Sequence, residues 1–323
     1  MSLPEAGRGG EPLVLVLAGP TASGKSALLR RVFAEERLCA AELVSADSMQ
    51  VYRGMDIGTA KPTLAEREAL PCHLVDIRDP SEQYNAGDFV REAEAACEDI
   101  ASRGKLPVVA GGTGFYIKCL IAGIPACPPS DSGIRAALKA ELAQKGAAAL
   151  ARELAEQDPT SAARIHSNDQ YRLLRALEVF RLTGKPLSAF AAQSRASPFR
   201  CLVFGLDRER GELYQAIERR CAAMFKAGLP DEVRALFNAG YTPDCPGLKA
   251  IGYREFFTRD AGGAWSLVNK LPAVEALIVQ NSRHYAKRQI TFCKGIPGLR
   301  WISGAAELSA ALESALREAE QQQ

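Results

Sequence analysis

Two glycines, a lysine and a serine are spaced to hold a polyphosphate. Gly19-Pro20-Thr21-Ala22-Ser23-Gly24-Lys25-Ser26 follows directly on the apolar run Leu13–Ala18. The glycines let backbone N–H groups turn inward onto phosphate oxygens, and the start of the next helix adds partial positive charge. Lys25 would neutralise phosphate charge, and the Ser26 hydroxyl would hold Mg²⁺. The plainer alternative is an ordinary strand-to-helix turn; the full pattern in a strand–loop–helix setting argues against it. Two further residues carry chemistry. Asp47, ionised, can accept a proton from a substrate group or hold a water on Mg²⁺; its plainer alternative is an aspartate that caps backbone amides in an Asx-turn. Thr113 lies among Gly111, Gly112 and Gly114, where backbone approaches closely, and offers a hydroxyl to a phosphate or leaving-group oxygen.

Each of these groups follows a predicted strand. Leu13–Ala18, Glu42–Ser45 and Leu106–Ala110 read as buried strands, with a helix over Ala86–Arg103 capped by Asn85. The alternation predicts an α/β fold: a P-loop NTPase-like parallel sheet flanked by helices. Ligands of such sheets sit beyond the carboxyl ends of the strands. The turns at Gly19–Ser26, Asp47–Ser48 and Gly111–Gly114 are therefore expected to share one crevice. The texture changes at Pro125–Ser130. From Asp131 to Thr183 the chain is rich in Ala, Leu and Arg at helical spacing, with helices expected over Asp131–Lys145, Ala147–Gln157 and Asp169–Thr183. Ala189–Pro198 reads as an exit linker and Cys201–Leu206 as a strand returning to the sheet. The expected organisation is a discontinuous core of residues 1–129 and 198–323 with an all-helical domain inserted at 130–197. Helices over Arg208–Ala227, Asp231–Ala239, Pro272–Cys293 and Ala305–Glu318, and a short strand at Leu299–Ile302, complete the reading.

Composition narrows the class. With 47% hydrophobic and 24% charged residues and a net charge of +2, the chain is not a uniformly basic nucleic-acid binder, so any such surface must be local. Nine scattered cysteines form no C-x-x-C pair and the three histidines fall near no cysteine cluster, which speaks against a zinc framework and a disulfide scaffold. Residues 1–11 hold too few apolar side chains for a signal peptide, and no segment approaches the ~20 apolar residues of a membrane span. The expected location is the cytoplasm. Basic residues concentrate between Lys249 and Lys294, where eight face only Glu255, Asp260 and Glu275. Tyr253, Tyr285 and Phe292 interleave with them, as a surface touching phosphates and bases requires. Arg283 and Lys287 are one helical turn apart with Arg288 beside them; a solvated helix face is the plainer alternative. Tyr171, Arg172 and Arg175 add a smaller basic feature in the helical insert. Asn269-Lys270 continues with Leu271-Pro272 and so does not complete N-K-x-D, which disfavours a switch GTPase. A metabolite kinase and a non-catalytic RNA-binding P-loop protein stay open.

Beyond the phosphate loop, successive motifs resemble the tRNA dimethylallyltransferase (tRNA isopentenyltransferase) family in its bacterial form. They are Ser45-Ala-Asp-Ser-Met-Gln-Val-Tyr-Arg-Gly-Met-Asp-Ile-Gly-Thr-Ala-Lys-Pro62, His73-Leu-Val-Asp-Ile-Arg-Asp-Pro80, Gly111-Gly-Thr-Gly-Phe-Tyr116 and Asp169-Gln-Tyr-Arg-Leu-Leu-Arg-Ala-Leu-Glu-Val179. Glu232-Val-Arg234, Ala250-Ile-Gly-Tyr-Arg-Glu255 and Ala286-Lys-Arg-Gln-Ile-Thr291 follow in order. The resemblance implies transfer of a dimethylallyl group from dimethylallyl diphosphate to N6 of the adenosine 3′ of the anticodon, in tRNAs reading codons that begin with U. The phosphate loop would then hold a leaving group, with Mg²⁺ on Ser26. By the same resemblance Asp47 is the general base, Thr113 contacts the oxygen bridging allyl group and diphosphate, and Arg220 reaches the phosphates. Family positions matched to tRNA contacts are Asp47, Ser48, Met49, Gln50, Thr113, Arg135, Tyr171, Arg172, Leu173, Leu174, Arg175, Lys249, Ala250, Ile251, Gly252, Tyr253 and Arg254; the basic helix adds Arg283, Lys287 and Arg288. Phe292 departs from the tryptophan that members often carry there, and the Cys/His zinc finger of eukaryotic members is missing. The expected partners are dimethylallyl diphosphate and a tRNA anticodon stem-loop, with no membrane and a monomeric chain. The runner-up enzyme is an adenine-nucleotide N-prenyltransferase.

Overall fold

The first strand, β1 (Leu13–Ala18), divides its side chains between two cores: Val14, Val16 and Ala18 enter one, Leu15 and Leu17 the other. That alternation is what a strand covered on both faces requires. The computed structural model describes residues 11–124, 127–166, 168–190 and 197–321. The amino-terminal ten residues, Pro125–Ala126 of the first boundary and 191–196 of the exit linker lie outside the described residues. β1 is central to a parallel sheet of six strands in the order β3-β2-β4-β1-β5-β8. Its members are β2 (Ala41–Ser45), β3 (Cys72–His73), β4 (Leu106–Gly111), β5 (Arg200–Leu206) and β8 (Arg300–Ile302). A two-stranded antiparallel hairpin, β6 (Phe257–Arg259) and β7 (Trp265–Leu267), stands apart from it.

Helices cover both faces. α3 (Ala86–Ser102) places Phe89, Ala93, Cys97 and Ile100 in the first core at helical spacing, and Asn85 with Asp88 closes its start as a capping box. The second core is closed by α1 (Lys25–Leu29), its π-helical continuation Arg30–Glu35, and Leu308, Leu312 and Leu316 of α13 (Ala305–Gln321). α2 (Leu64–Ala69), α4 (Gly114–Ala122), α10 (Arg210–Lys226), α11 (Leu229–Asn238) and α12 (Leu271–Cys293) complete this unit, Met1–Ile121 with Ser197–Gln323. The second compact unit, Ala122–Ala196, begins where α4 ends. It contains α5 (Ser132–Lys145), α6 (Ala147–Gln157), α7 (Pro159–Arg164), α8 (Gln170–Thr183) and α9 (Leu187–Phe190) around Leu138, Leu150, Leu154, Leu173, Leu174 and Leu177.

The parallel α/β architecture agrees with the sequence reading. The additions are α2, α4, α7, α9, β3 and the β6–β7 hairpin; two- and three-residue strands are too short for a period-two signal. No helix among the described residues is long and apolar enough to cross a membrane, and all nine cysteines are free thiols.

Candidate active site

The phosphate loop closes around its own lysine. Gly24 caps α1 with φ +97°, a conformation that favours glycine, and its carbonyl accepts the Leu28 N–H at 2.9 Å. Lys25 Nζ donates to the Gly19 and Pro20 carbonyls at 2.9 and 2.8 Å. Burial lowers the Lys25 ammonium to about 8; the Asp47 charge opposes that shift and Arg220 reinforces it. From α10, Arg220 donates to Thr21 Oγ1 at 3.2 Å and to the Thr59 carbonyl at 3.3 Å. Burial lowers its guanidinium as well, offset by Asp47.

An anion in this loop favours the charged lysine. Below pH 8 Lys25 is already protonated and needs no further proton; above pH 8 binding must take one up. Affinity for inorganic diphosphate should therefore decline as pH rises through about 8. Calorimetric titration should show that decline in the native protein and lose it in Lys25→Met; the same pH profile in both would place Lys25 away from the anion.

Asp47 follows β2 and Thr113 follows β4, as neighbours across the paired strands. Asp47 Oδ1 accepts the Met49 N–H at 2.9 Å, so the Asx-turn is present. The carboxylate has no second protein partner among the described residues, and Asp47 lines the cavity. Thr113 Oγ1 accepts the Ser48 N–H at 3.0 Å and lies 3.3 Å from Ser48 Oγ. These bonds tie Thr113 to the Asp47–Ser48 turn. Gly111 makes this proximity possible: a Cβ there would fall 2.1 Å from the Ala46 carbonyl oxygen.

Two residues that the sequence reading left out of the crevice complete it. Gln289 of α12, buried, accepts the Thr21 N–H at 2.8 Å and donates to the Gly112 carbonyl at 2.8 Å, tying the phosphate loop to the turn after β4. One turn earlier, Tyr285 bonds Thr113 and Gln289; burial and the Asp47 charge push its hydroxyl up to about 12, so it stays neutral.

A cavity of about 310 Å³ contains Lys25, Ser26, Asp47, Gly111, Gly112 and Arg220, so the three predicted turns do share a crevice. Its remaining walls include Leu29, Leu43, Leu70 and Ala110, and Arg30 and Glu66 at its edge form an ion pair. With that pair self-compensated, Lys25 and Arg220 face only Asp47, an excess of buried positive charge that suits an anion. A second cavity of about 330 Å³ is lined by Ser48, Met49, Lys249, Ala250, Ile251, Gly252, Arg254 and Arg288. The two meet at Thr21, Asp47, Thr59, Arg220 and Tyr285. Gln50 belongs to the first and bonds Ser45 Oγ at 3.0 Å.

Several expected contact residues have other work. Tyr253 is fully buried; its hydroxyl donates to Glu232, whose carboxylate also accepts the Asp56, Ile57 and Gly58 N–H groups. Its side chain is scaffold, not surface. Leu173 and Leu174 likewise pack in the helical core, so their side chains cannot meet a partner. Arg283 is ion-paired with Glu218 of α10. In the helical unit Arg135 and Arg175 both bond the buried Glu178 carboxylate, at 2.8 and 3.0 Å. Burial opposes that charge, yet Ser130 and the two arginines hold the Glu178 carboxyl below its usual range. The Arg135 guanidinium lies 4.8 Å over the exposed Tyr171 ring, and Arg172 pairs with Asp169.

A family model described as IPP transferase matches residues 50–295. A tRNA dimethylallyltransferase of Geobacter sulfurreducens is 46% identical over 296 residues, covering 91% of this chain and 93% of that protein. The chain belongs to the tRNA dimethylallyltransferase family. Solved structures of the family superpose on it: the tRNA isopentenylpyrophosphate transferase of Bacillus halodurans at 35% identity and TM-score 0.67, covering 97% of this chain and 99% of that one. A eukaryotic dimethylallyltransferase acting on tRNA aligns with TM-score 0.76 at 27% identity, over 95% of this chain and 80% of that one. Of the tRNA dimethylallyltransferase motifs, the phosphate loop, Ser45–Pro62, Gly111–Tyr116, Ala250–Glu255 and Ala286–Thr291 contribute residues to the walls of these two cavities. The oxygen donors there suit Mg²⁺: Ser26 is exposed at the start of α1 and Asp47 borders the same cavity. Mg²⁺ commonly takes one or two protein oxygens and completes its shell with water and phosphate. No group of three His, Cys, Asp or Glu side chains suited to a metal occurs among the described residues.

Proposed function

We propose that the protein transfers the dimethylallyl group of dimethylallyl diphosphate to N6 of the adenosine 3′ of the anticodon, in tRNAs reading codons that begin with U. The observation that carries this reading is the meeting of two cavities at Asp47. One holds the phosphate loop beside apolar walls, as a hydrocarbon-bearing diphosphate needs. The other opens among Lys249, Arg254 and Arg288, where a polyanion is attracted. A base stacked in an anticodon loop reaches Asp47 only when flipped out of the stack.

In the transfer the N6–C bond forms, the allylic C–O bond breaks, the N6 proton passes to the free oxygen of Asp47, and diphosphate leaves. The Met49 N–H fixes the other Asp47 oxygen and thereby aims the carboxylate. Lys25, Arg220 and the loop amides stabilise the charge that grows on the departing diphosphate. Mg²⁺ held through Ser26 would add to that neutralisation. Thr113 joins through its bonds to Ser48 and Tyr285, and reaches the bridging oxygen by exchanging the Ser48 Oγ contact for the donor. The helical domain, residues 130–197, presents Tyr171 with Arg135 to the RNA, and the enzyme works as a cytoplasmic monomer.

Labelled dimethylallyl diphosphate, offered with Mg²⁺ to unmodified tRNA, should label that tRNA. The same RNA with inosine at the target position, which lacks the N6 amine, should stay unlabelled. Label in the inosine RNA would remove N6 from the reaction. Lys287, exposed on α12, contacts phosphate in this reading. Lys287→Ala should weaken tRNA binding and reduce the slope of log affinity against log salt by about one; an unchanged slope would take it out of the interface.

A further inference from the structure

Tyr285 is the only aromatic side chain among the described residues that lines either cavity of the site, and it lines both. Its helix brings it there. Ile278, Ser282, Tyr285 and Arg288 share one face of α12 at helical spacing, and all four border the second cavity. Of these, Tyr285 alone also borders the first. Its hydroxyl is already engaged by Thr113 and Gln289. Gln289 in turn bonds the Thr21 N–H and the Gly112 carbonyl, both at 2.8 Å, so the ring is tethered to the phosphate loop and to the turn after β4. The Arg288 guanidinium stands 5.7 Å from the ring centroid, so the ring already faces one cation, but Arg288 does not line the first cavity. No step of the reaction derived above uses the ring.

We propose that Tyr285 is a catalytic residue whose ring face stabilises the positive charge that develops on the allyl group as its bond to diphosphate breaks. The inference rests on the prenyl transfer proposed above. In that transfer the C–O electron pair goes to the bridging oxygen. Bond breaking that runs ahead of N6–C formation leaves positive charge shared between the two ends of the allyl group. The N6 lone pair then closes the new bond and the N6 proton passes to Asp47. Lys25 and Arg220 favour the departing diphosphate but, being cations in the same cavity, disfavour that charge. Asp47 offsets them only until it takes up its proton. An aromatic ring supplies what is missing: its quadrupole attracts a cation, most strongly where water is excluded. It also forms no bond to the allyl group, whereas a second carboxylate could capture it as an ester. With the hydroxyl held by Thr113 and Gln289, the ring is the part of Tyr285 left to face the reacting carbon.

Single-turnover prenyl transfer to an anticodon stem-loop RNA, with RNA and donor saturating, tests this. Tyr285→Leu should slow the step about thirtyfold, and Tyr285→Phe, which keeps the ring and loses its tether, only about two- to fivefold. Phenylalanines bearing one, two or three fluorines in place of Tyr285 give the sharper reading, because fluorine withdraws electrons from the ring face with little change of shape. The rate should fall with each fluorine added, while RNA affinity stays within about twofold of that of Tyr285→Phe. These rings fit the native space, so the series decides the matter even where Tyr285→Leu fails to fold. A rate indifferent to fluorination would overturn the proposal. So would a Tyr285→Phe variant as slow as Tyr285→Leu, which would assign the effect to the hydroxyl. Fluorination that changed RNA affinity and left the rate alone would also overturn it, by making the ring a stacking surface for the adenine. A native enzyme that does not prenylate the RNA would overturn the function on which the proposal rests, a separate and recognisable result.

Discussion

Asp47→Ala should lower the rate of prenyl transfer by about 10²- to 10⁴-fold while tRNA affinity changes little. The adenine amine is a weak nucleophile because its lone pair is delocalised into the ring, so removing its proton as the bond forms matters greatly. Asp47 also closes an Asx-turn through the Met49 N–H, and alanine removes both contributions. Asp47→Asn separates them. Asparagine keeps an oxygen for Met49 and loses the base, so its kcat should be as low as that of alanine. An asparagine variant with near-native kcat would reduce Asp47 to a turn residue. A parallel fall in tRNA binding in both variants would point instead to collapse of the Ala46–Gln50 loop.

Gly111→Ala should produce a protein that barely folds. The clash is between the added Cβ and the Ala46 carbonyl oxygen, 2.1 Å apart, and both belong to backbone held by parallel pairing of β2 with β4. No side chain can swing away, so the strand ends must part and the Ala46 N–H bond to the Ala110 carbonyl must lengthen. Overpacking commonly costs about 1–3 kcal/mol and more where backbone must move, against a total stability of about 5–15 kcal/mol. Urea unfolding followed by circular dichroism should show a large drop in midpoint, or no cooperative transition. A shift below about 1 kcal/mol would mean that β2 and β4 separate easily, and the placement of Asp47 beside Thr113 would lose its basis.

What the chain disclosed in one dimension was what is local. The phosphate loop was legible because strand, glycines and helix are contiguous, and Asp47 and Thr113 because each directly follows a strand of the same sheet. Gln289 was not: its bond to Thr21 joins residues 268 positions apart, and only the return of α12 onto the loop creates it. Tyr285 was visible as an aromatic among charges, with no sign that it faces inward to Thr113. Tyr253 misled for a related reason. Its motif Gly252-Tyr253-Arg254 alternates scaffold with surface, and sequence does not separate the tyrosine that anchors Glu232 from the exposed arginine beside it. Lys61, at the end of the long motif after Asp47, is scaffold too: its buried ammonium bonds Asp56, Asp76 and the Tyr52 carbonyl. Asp76 in turn resists its own burial through Lys61 and Arg67, which hold its carboxyl below the usual range. These residues build the loop that carries Asp47.

The central claim is that this phosphate loop holds a group in order to release it. One measurement addresses that directly: labelled dimethylallyl diphosphate, Mg²⁺, unmodified tRNA, AMP and ATP in a single reaction, with diphosphate, prenylated adenosine and ATP all counted over time. The account predicts one diphosphate released for each prenylated adenosine in tRNA, with ATP and AMP unchanged. Phosphate transfer from ATP, prenylated AMP, or diphosphate release without RNA modification would contradict it.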